Sequence, residues 1–184
     1  MANFATRIDS ISISEIRKVF DSAGPNAINL GLGQPDFPTP SHIKDAAIRS
    51  INNGGSDNYT PNNGILELRR AISHKHSRDN SLNIQPENII ATAGGSEALH
   101  IAIEAHVNPG DKILIPDPGF VSYRALAHIS GGIPVPIGLR EDLTMDPSSI
   151  ENAISEDVVA FIINSPGNPT GGVQSKSDMK EFAR

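Results

Sequence analysis

The second half of the chain alternates short apolar runs with segments that carry apolar residues at helical spacing. From about residue 86, each apolar run is followed by a helical pattern. Strands that are apolar along their whole length are typical of a sheet covered on both faces. The alternation therefore predicts an α/β fold with a mainly parallel sheet sandwiched by helices. The predicted strands are "NIIATA", "KILIP", "IPVPI" and "VVAFII".

The first half of the chain has a different pattern. An amphipathic stretch, "SEIRKVFDSA", predicts a helix near the start of the chain. The segment after it contains prolines and glycines that prevent regular structure. Together, residues 1–40 are predicted to form an N-terminal arm that includes this helix. Thr39 is predicted as a helix cap and Pro40 as the first residue of a helix that continues to Ile51. After a polar loop, "ILELRRAISHKHSRDN" predicts a second helix.

Composition excludes several classes of protein. The 184 residues are 38% hydrophobic, enough for the core of one domain, and no apolar run approaches the roughly 20 residues of a membrane helix. Without cysteine there is no disulfide, and the one close histidine pair, His74 and His76, lies on different helix faces, so we expect no metal site. A net charge of −6 without a basic run gives no footprint for nucleic acid. The start shows no secretory signal, so we expect a cytoplasmic protein.

A glycine pair stands between the first predicted strand and the helix that follows it. Glycine lets the backbone approach a ligand, and the N–H groups and dipole of a helix start favour a phosphate. The alternative is a tight strand-to-helix turn with Ser96 as the N-cap. The spacing around Gly94 and Gly95 matches neither the dinucleotide fingerprint nor the P-loop, so this segment alone leaves both interpretations open.

An aromatic pair follows the next strand, in "PDPGFVSYRAL". Phe120 is placed either to stack on a planar ring or to fill the core, and the segment alone favours the core. Tyr123 is interpreted as a packing residue.

The stretch "NSPGNPTGG", residues 164–172, follows the last apolar run and contains two prolines, three glycines and two asparagines. Asn168 lies between Gly167 and Pro169, and its amide can both donate and accept a hydrogen bond. Ligands of parallel sheets bind at the carboxyl ends of the strands, where this loop is predicted. A phosphate cradle, a ring stacker and a rigid amide at one edge describe a site for a flat, phosphorylated cofactor, and pyridoxal 5'-phosphate fits.

Five segments, in this order, resemble the pyridoxal-phosphate-dependent class I and II aminotransferases of the aspartate aminotransferase fold. They are "GLGQPDFPTP", "YTPNNGILELRRAI", "ATAGGSEAL", "DPGFVSY" and "NSPGNPTGG". The resemblance implies the major-domain fold of these transferases in incomplete form. Residues 1–40 would be the arm and part of the small domain, and residues 41–184 the N-terminal part of the cofactor-binding large domain. The implied activity transfers an amino group between an amino acid and a 2-oxo acid.

The resemblance also implies roles for residues near the predicted sheet edge. The amides of Gly95, Ser96 and Glu97 would bind the cofactor phosphate. Phe120 would stack on the pyridine ring, and Asn168 would hydrogen-bond the 3-hydroxyl oxygen of that ring.

Two more residues receive a role only through the resemblance. Tyr59 would reach the phosphate of the neighbouring subunit's cofactor, which implies a homodimer, and Gly33 would lie beside the substrate carboxylate. Without it they are a loop aromatic and a turn glycine.

The residues that perform catalysis in this family lie downstream of the "NPTG" motif. They are the Schiff-base lysine, the aspartate on the pyridine nitrogen, a tyrosine on the ring oxygen and the arginine for the substrate carboxylate. No lysine of this chain stands in the motif of the Schiff-base position, so we assign it no catalytic residue. We expect a fragment of about half the family length that is inactive alone, from an aminotransferase of amino acid metabolism.

Two alternatives remain open. Other enzymes of the same fold, such as C–S lyases, share these motifs, and only residues beyond Arg184 would separate them. Alternatively, the 184 residues form a non-catalytic module for pyridoxal phosphate, phosphate or a partner protein, with exposed apolar edge strands that favour association.

Overall fold

The structure, a computed structural model, describes residues 5–8, 11, 22, 24, 27–28, 33, 35–55 and 57–184. Apart from Ser22, the helix predicted over "SEIRKVFDSA" lies outside the described residues. The chain divides into two compact units, one of residues 15–93 and one of residues 1–14 with 94–184. The boundary predicted after residue 40 stays a prediction. No helix within the described ranges is long and apolar enough to cross a membrane.

Two α-helices are described along their whole length in the unit of residues 15–93, α1 (Ser41–Asn52) and α2 (Leu66–Asn80). Pro40 is the N-cap of α1 and not its first helical residue, so the prediction that placed the cap at Thr39 was wrong by one position. The ψ of Pro40 is extended, at 140°, while its carbonyl already accepts the first helical bond, from Lys44 N at 3.2 Å. This combination defines an N-cap residue.

The prediction of a strand at "NIIATA" was wrong. Ile89 has extended dihedral angles and is buried while Ile90 is exposed, as in a half-buried strand. A strand also needs a neighbour for its backbone hydrogen bonds. The described sheet has three strands and does not include this segment, and the N–H of Ala91 donates instead to Asn63 O in a loop, at 3.1 Å.

The other three predicted strands are confirmed and form a parallel sheet, in which β1 (Lys112–Asp117) lies between β2 (Ile133–Gly138) and β3 (Val158–Phe161). Leu114 in the central strand lies opposite Val135 on one side and Phe161 on the other. The helices of this unit also follow the predicted alternation. The elements are α3 (Gly95–His106), β1 (Lys112–Asp117), α4 (Ser122–Ile129), β2 (Ile133–Gly138), α5 (Pro147–Ala153), β3 (Val158–Phe161) and α6 (Lys176–Phe182).

Alternate residues of β1 enter cores on opposite faces of the sheet. Ile113 and Ile115 pack with side chains of α3 and α4 on one face. Leu114 packs on the other face with residues of β2 and α5, and Phe182 of α6 borders that cluster. Side chains of a strand alternate between faces, so an apolar run as continuous as β1 requires both to be covered. The predicted sandwich of helices around a parallel sheet is confirmed.

The connections after β1 and β3 leave the sheet in opposite directions. The chain leaves β1 for α4 on the first face and leaves β3 for α6 on the second. Neighbouring parallel strands whose connections diverge in this way open a crevice at their carboxyl ends, where α/β proteins bind ligands. Fold topology therefore selects the edge formed by residues after Asp117 and after Phe161.

Candidate functional site

The loop after β3 crosses the carboxyl end of the central strand. It starts on one side of β1, and Gly172 reaches the backbone of Leu143, in the segment that follows β2 on the other side. Two bonds close the loop on itself, Gly167 N to Gly172 O at 2.9 Å and Gly171 N to Gly167 O at 2.8 Å. A depression beneath it is lined by Pro116, Pro118, Leu143, Asn164, Asn168 and Gln174, among others.

Asn168 stands on this loop with an exposed side chain. Its backbone N–H donates to Asn164 Oδ1 at 2.7 Å, a short bond for an N–H donor. Asn168 was predicted from the sequence as a site residue, and Asn164 was not. The available signal was an asparagine directly after a strand, because asparagine side chains often bind backbone groups a few residues away.

Gln174 fixes the far end of the loop, and it too was not predicted from the sequence. Its Nε2 donates to Met145 O at 2.6 Å, and its Oε1 accepts from Met145 N at 3.1 Å. Its own backbone N–H donates to Ser165 Oγ at 2.9 Å, which joins the two ends of the loop. Met145 is 29 positions away, so no local pattern indicates this pairing.

A charged cluster supports the same region from outside. Arg140 donates to Asp146 Oδ1 at 2.7 Å and to Asp178 Oδ2 at 3.0 Å, and Asp178 also accepts from Gln174 Nε2 at 3.3 Å. The hydrogen bond from Arg140 holds the pKa of the Asp146 carboxyl below its ordinary value. Asp146 is also the N-cap of α5, where its side chain accepts from Ser148 N.

The contribution of this charged cluster to the free energy of unfolding is expected to fall in acid. Because the pKa of Asp146 is lower in the folded than in the unfolded chain, its contribution is complete above the ordinary aspartate value of about 3.9 and disappears as the pH falls through the folded value. Arg140→Met should lower the urea midpoint at about pH 7 and flatten its decline towards about pH 3. Arg124→Met, at an exposed position of α4, is the control, and an equally steep decline in Arg140→Met would contradict the assignment.

The start of α3 presents an open backbone. Gly94 is its N-cap, with φ +85°, which glycine adopts without steric cost. The alternative that made Ser96 the N-cap was therefore wrong, and Ser96 lies inside the first turn. A Cβ added at Gly94 or Gly95 would meet nothing within 4 Å. The first N–H groups of a helix have no partner within the helix, so this exposed start fits an anion such as a phosphate.

Topology places the start of α3 at the same edge as the loop. The chain ends α3 at His106 and enters β1 at Lys112, so helix and strand run in opposite directions and pack through Ile103 and Ile113. The first turn of α3 therefore lies towards the carboxyl end of the sheet. Gly95, Ser96, Glu97 and Asn168 all belong to the unit of residues 94–184, and their binding roles stay predictions.

The aromatic pair after β1 divides between core and surface. Tyr123 is 6% exposed, as its interpretation as a packing residue required, and burial raises the pKa of its phenol. Phe120 is half-buried, and its ring meets that of Tyr123 edge-on, with centroids 5.6 Å apart and planes at 82°. Gly119 lies in the turn after β1 against the backbone of Pro116, because a Cβ there would fall on Pro116 O. The stacking role of Phe120 stays a prediction.

Tyr59 and Gly33 belong to the other unit, residues 15–93. Tyr59 is fully exposed, and a Cβ at Gly33 would have no neighbour within 4 Å. Both positions are accessible, and the roles that the resemblance gives them stay predictions.

Known proteins resemble this chain over almost its whole length. The family model for aminotransferase class I and II matches residues 25–184. The chain belongs to the class I and II aminotransferase family. A probable aspartate aminotransferase of Methanocaldococcus jannaschii is 42% identical over 97% of this aminotransferase chain and 48% of the relative.

Solved aminotransferase structures share the fold. The aspartate aminotransferase of Thermus thermophilus, solved with maleate, superposes with a TM-score of 0.94 at 35% identity, over all of this aminotransferase chain and 50% of that structure. An alanine aminotransferase of Pyrococcus furiosus gives a TM-score of 0.88 at 32% identity, over 97% of this chain and 48% of that one. The chain thus spans about half the length of the relatives that it matches.

Proposed function

We propose that this chain is part of a pyridoxal-phosphate-dependent aminotransferase that moves an amino group between an amino acid and a 2-oxo acid. One observation carries the proposal within the family: the exposed amide of Asn168 and the open start of α3 lie towards the same carboxyl edge of the sheet. A fixed amide and the N–H groups of a helix start are the donors that a flat phosphorylated ring requires.

The residues of this chain divide the work of binding. The first N–H groups of α3, at Gly95, Ser96 and Glu97, bind the phosphate, and the negative charge is favoured by the helix dipole. Phe120 packs against the ring, and Asn168 fixes its orientation by a hydrogen bond to the 3-hydroxyl oxygen. When bound, pyridoxal phosphate supplies a carbonyl that joins the substrate amine and a ring that withdraws electrons from it. In the complete protein, the Schiff-base lysine would come from the part that corresponds to the unmatched half of the relatives.

Substrates and assembly follow the relatives. Those relatives are named for aspartate and alanine, so aspartate is the first amino acid to test. Gly33 lies beside the substrate carboxylate in this proposal. Tyr59 contacts the phosphate at the partner's site in a cytoplasmic homodimer, a role that its full exposure permits.

The test uses protein expressed from its complete reading frame. The absorption of pyridoxal phosphate should change on binding, and aspartate with 2-oxoglutarate should yield glutamate and oxaloacetate in equal amounts. The isolated 184-residue chain should show no turnover. Release of pyruvate from a sulfur-containing amino acid without amino transfer would identify a C–S lyase instead. Weak reversible binding of pyridoxal phosphate, without turnover and without an adduct on a specific lysine that borohydride reduces, would support the non-catalytic module.

A further inference from the structure

The geometry of the loop points to Asn164 as a positioning residue: we propose that its amide carbonyl holds the backbone of Asn168, so that the Asn168 side chain is ready to bind the cofactor ring. The inference rests on the proposed function and adds a residue to it. Asn164 acts through Asn168 and has no assigned contact with the cofactor.

Asn164 stands on the rigid part of the structure. Two residues before it, the N–H of Ile162 still donates to Leu114 O at 2.9 Å, which ties the chain to the central strand just beyond the end of β3. Asn164 itself is half-buried. Its side chain therefore holds the backbone of Asn168, on the loop, in a fixed position relative to the sheet through one hydrogen bond of 2.7 Å.

The other bonds of the loop do not replace this one. Those among Gly167, Gly171 and Gly172 fix the curvature of the loop, and Gln174 fixes its far end. In the part of the chain that the structure describes, the Asn168 N–H is paired with Asn164 Oδ1. Without it, the loop keeps its shape while Asn168 can shift relative to the sheet.

A small shift of Asn168 is enough to weaken binding. A binding group must be held to within about 0.5 Å by its supporting contacts to give its full hydrogen bond. We expect Asn168→Ala to lower pyridoxal phosphate affinity about tenfold or more. Asn164→Leu, which removes the acceptor at similar size, should lower it about three- to tenfold.

A double-mutant cycle in the complete protein tests the inference. Pyridoxal phosphate is titrated by absorption into wild type, Asn164→Leu, Asn168→Ala and the double variant. If Asn164 acts through Asn168, the double variant binds as Asn168→Ala does, because nothing remains to be positioned. Amide hydrogen exchange at Asn168 in the cofactor-free protein should also rise about tenfold or more in Asn164→Leu. Asn152→Leu, at an exposed position of α5, is the matched control.

Several results would overturn the inference. Wild-type affinity in Asn164→Leu would exclude a positioning role, as would unchanged amide exchange at Asn168. So would a cycle in which Asn164→Leu lowers pyridoxal phosphate affinity by the same factor in the wild type and in Asn168→Ala. Asn164→Ala removes the same acceptor without bulk. If both variants fail to fold while Asn152→Leu folds, Asn164 is structural. If wild type binds no pyridoxal phosphate, the proposed function fails first, and that result is visible before any variant is compared.

Discussion

Replacing Leu114 with alanine is expected to lower the free energy of unfolding of the unit of residues 94–184 by about 2–5 kcal/mol. Leu114 is 0% exposed at the centre of the middle strand, where it packs with Ile137, Met145 and Ile150. Removal of its buried methyl groups loses their transfer free energy and leaves a cavity that the flanking strands cannot close. The crevice at the end of β1 depends on this packing.

Urea unfolding followed by circular dichroism measures the effect, with Val159→Ala as the control. Val159 is an aliphatic residue of the edge strand β3 that is 43% exposed, so its truncation should cost under about 1 kcal/mol. Equal losses in the two variants would show that Leu114 is not the centre of the core.

The fold was largely predictable because burial on both faces leaves a continuous apolar signature. "KILIP", "IPVPI" and "VVAFII" became strands, and the helices between them followed. "NIIATA" is similarly apolar and is not a strand, because a strand also requires a neighbour for its backbone hydrogen bonds, and Ile90 of this segment is exposed. The predicted N-caps of α1 and α3 also differ from the observed ones. Pro40 and Gly94 are caps through their dihedral angles, which residue type alone does not determine.

Parts of the candidate site could be predicted where short sequence motifs determine the shape of a loop. Asn168 between glycine and proline, and glycines before α3, are local signals of loop shape. Asn164 gave only the weak signal of an asparagine directly after a strand, because both asparagines of its loop fit a turn and only the folded structure shows that Asn164 accepts from Asn168. Gln174 and Arg140 were hidden because their partners, Met145 and Asp178, lie 29 and 38 positions away. Long-range polar pairs leave no periodicity in a single sequence.

Gly172→Ala is expected to disturb the site more than alanine at any other glycine of the loop. Its Cβ would fall on Leu143 O, with Leu143 C at 2.7 Å and Asp142 O at 3.4 Å. These are backbone atoms, which cannot rotate away as a flexible side chain would. Overpacking of this kind costs about 1–3 kcal/mol, and either the loop or the segment after β2 must move. Because Gly172 O also accepts from Gly167 N, movement there is passed to the residue before Asn168.

Two glycine controls separate steric contact from backbone conformation. Gly138→Ala adds its Cβ in open space at the end of β2 and should be close to neutral. Gly171→Ala also meets open space but has φ +75°, so it should cost about 1 kcal/mol through conformation alone. Urea midpoints and pyridoxal phosphate titrations of the complete protein compare the three. If Gly172→Ala matches Gly138→Ala in both, the loop does not depend on its contact with Leu143. A loss of affinity beyond that of Gly171→Ala means that the crossing of the loop over β1 holds Asn168 in place.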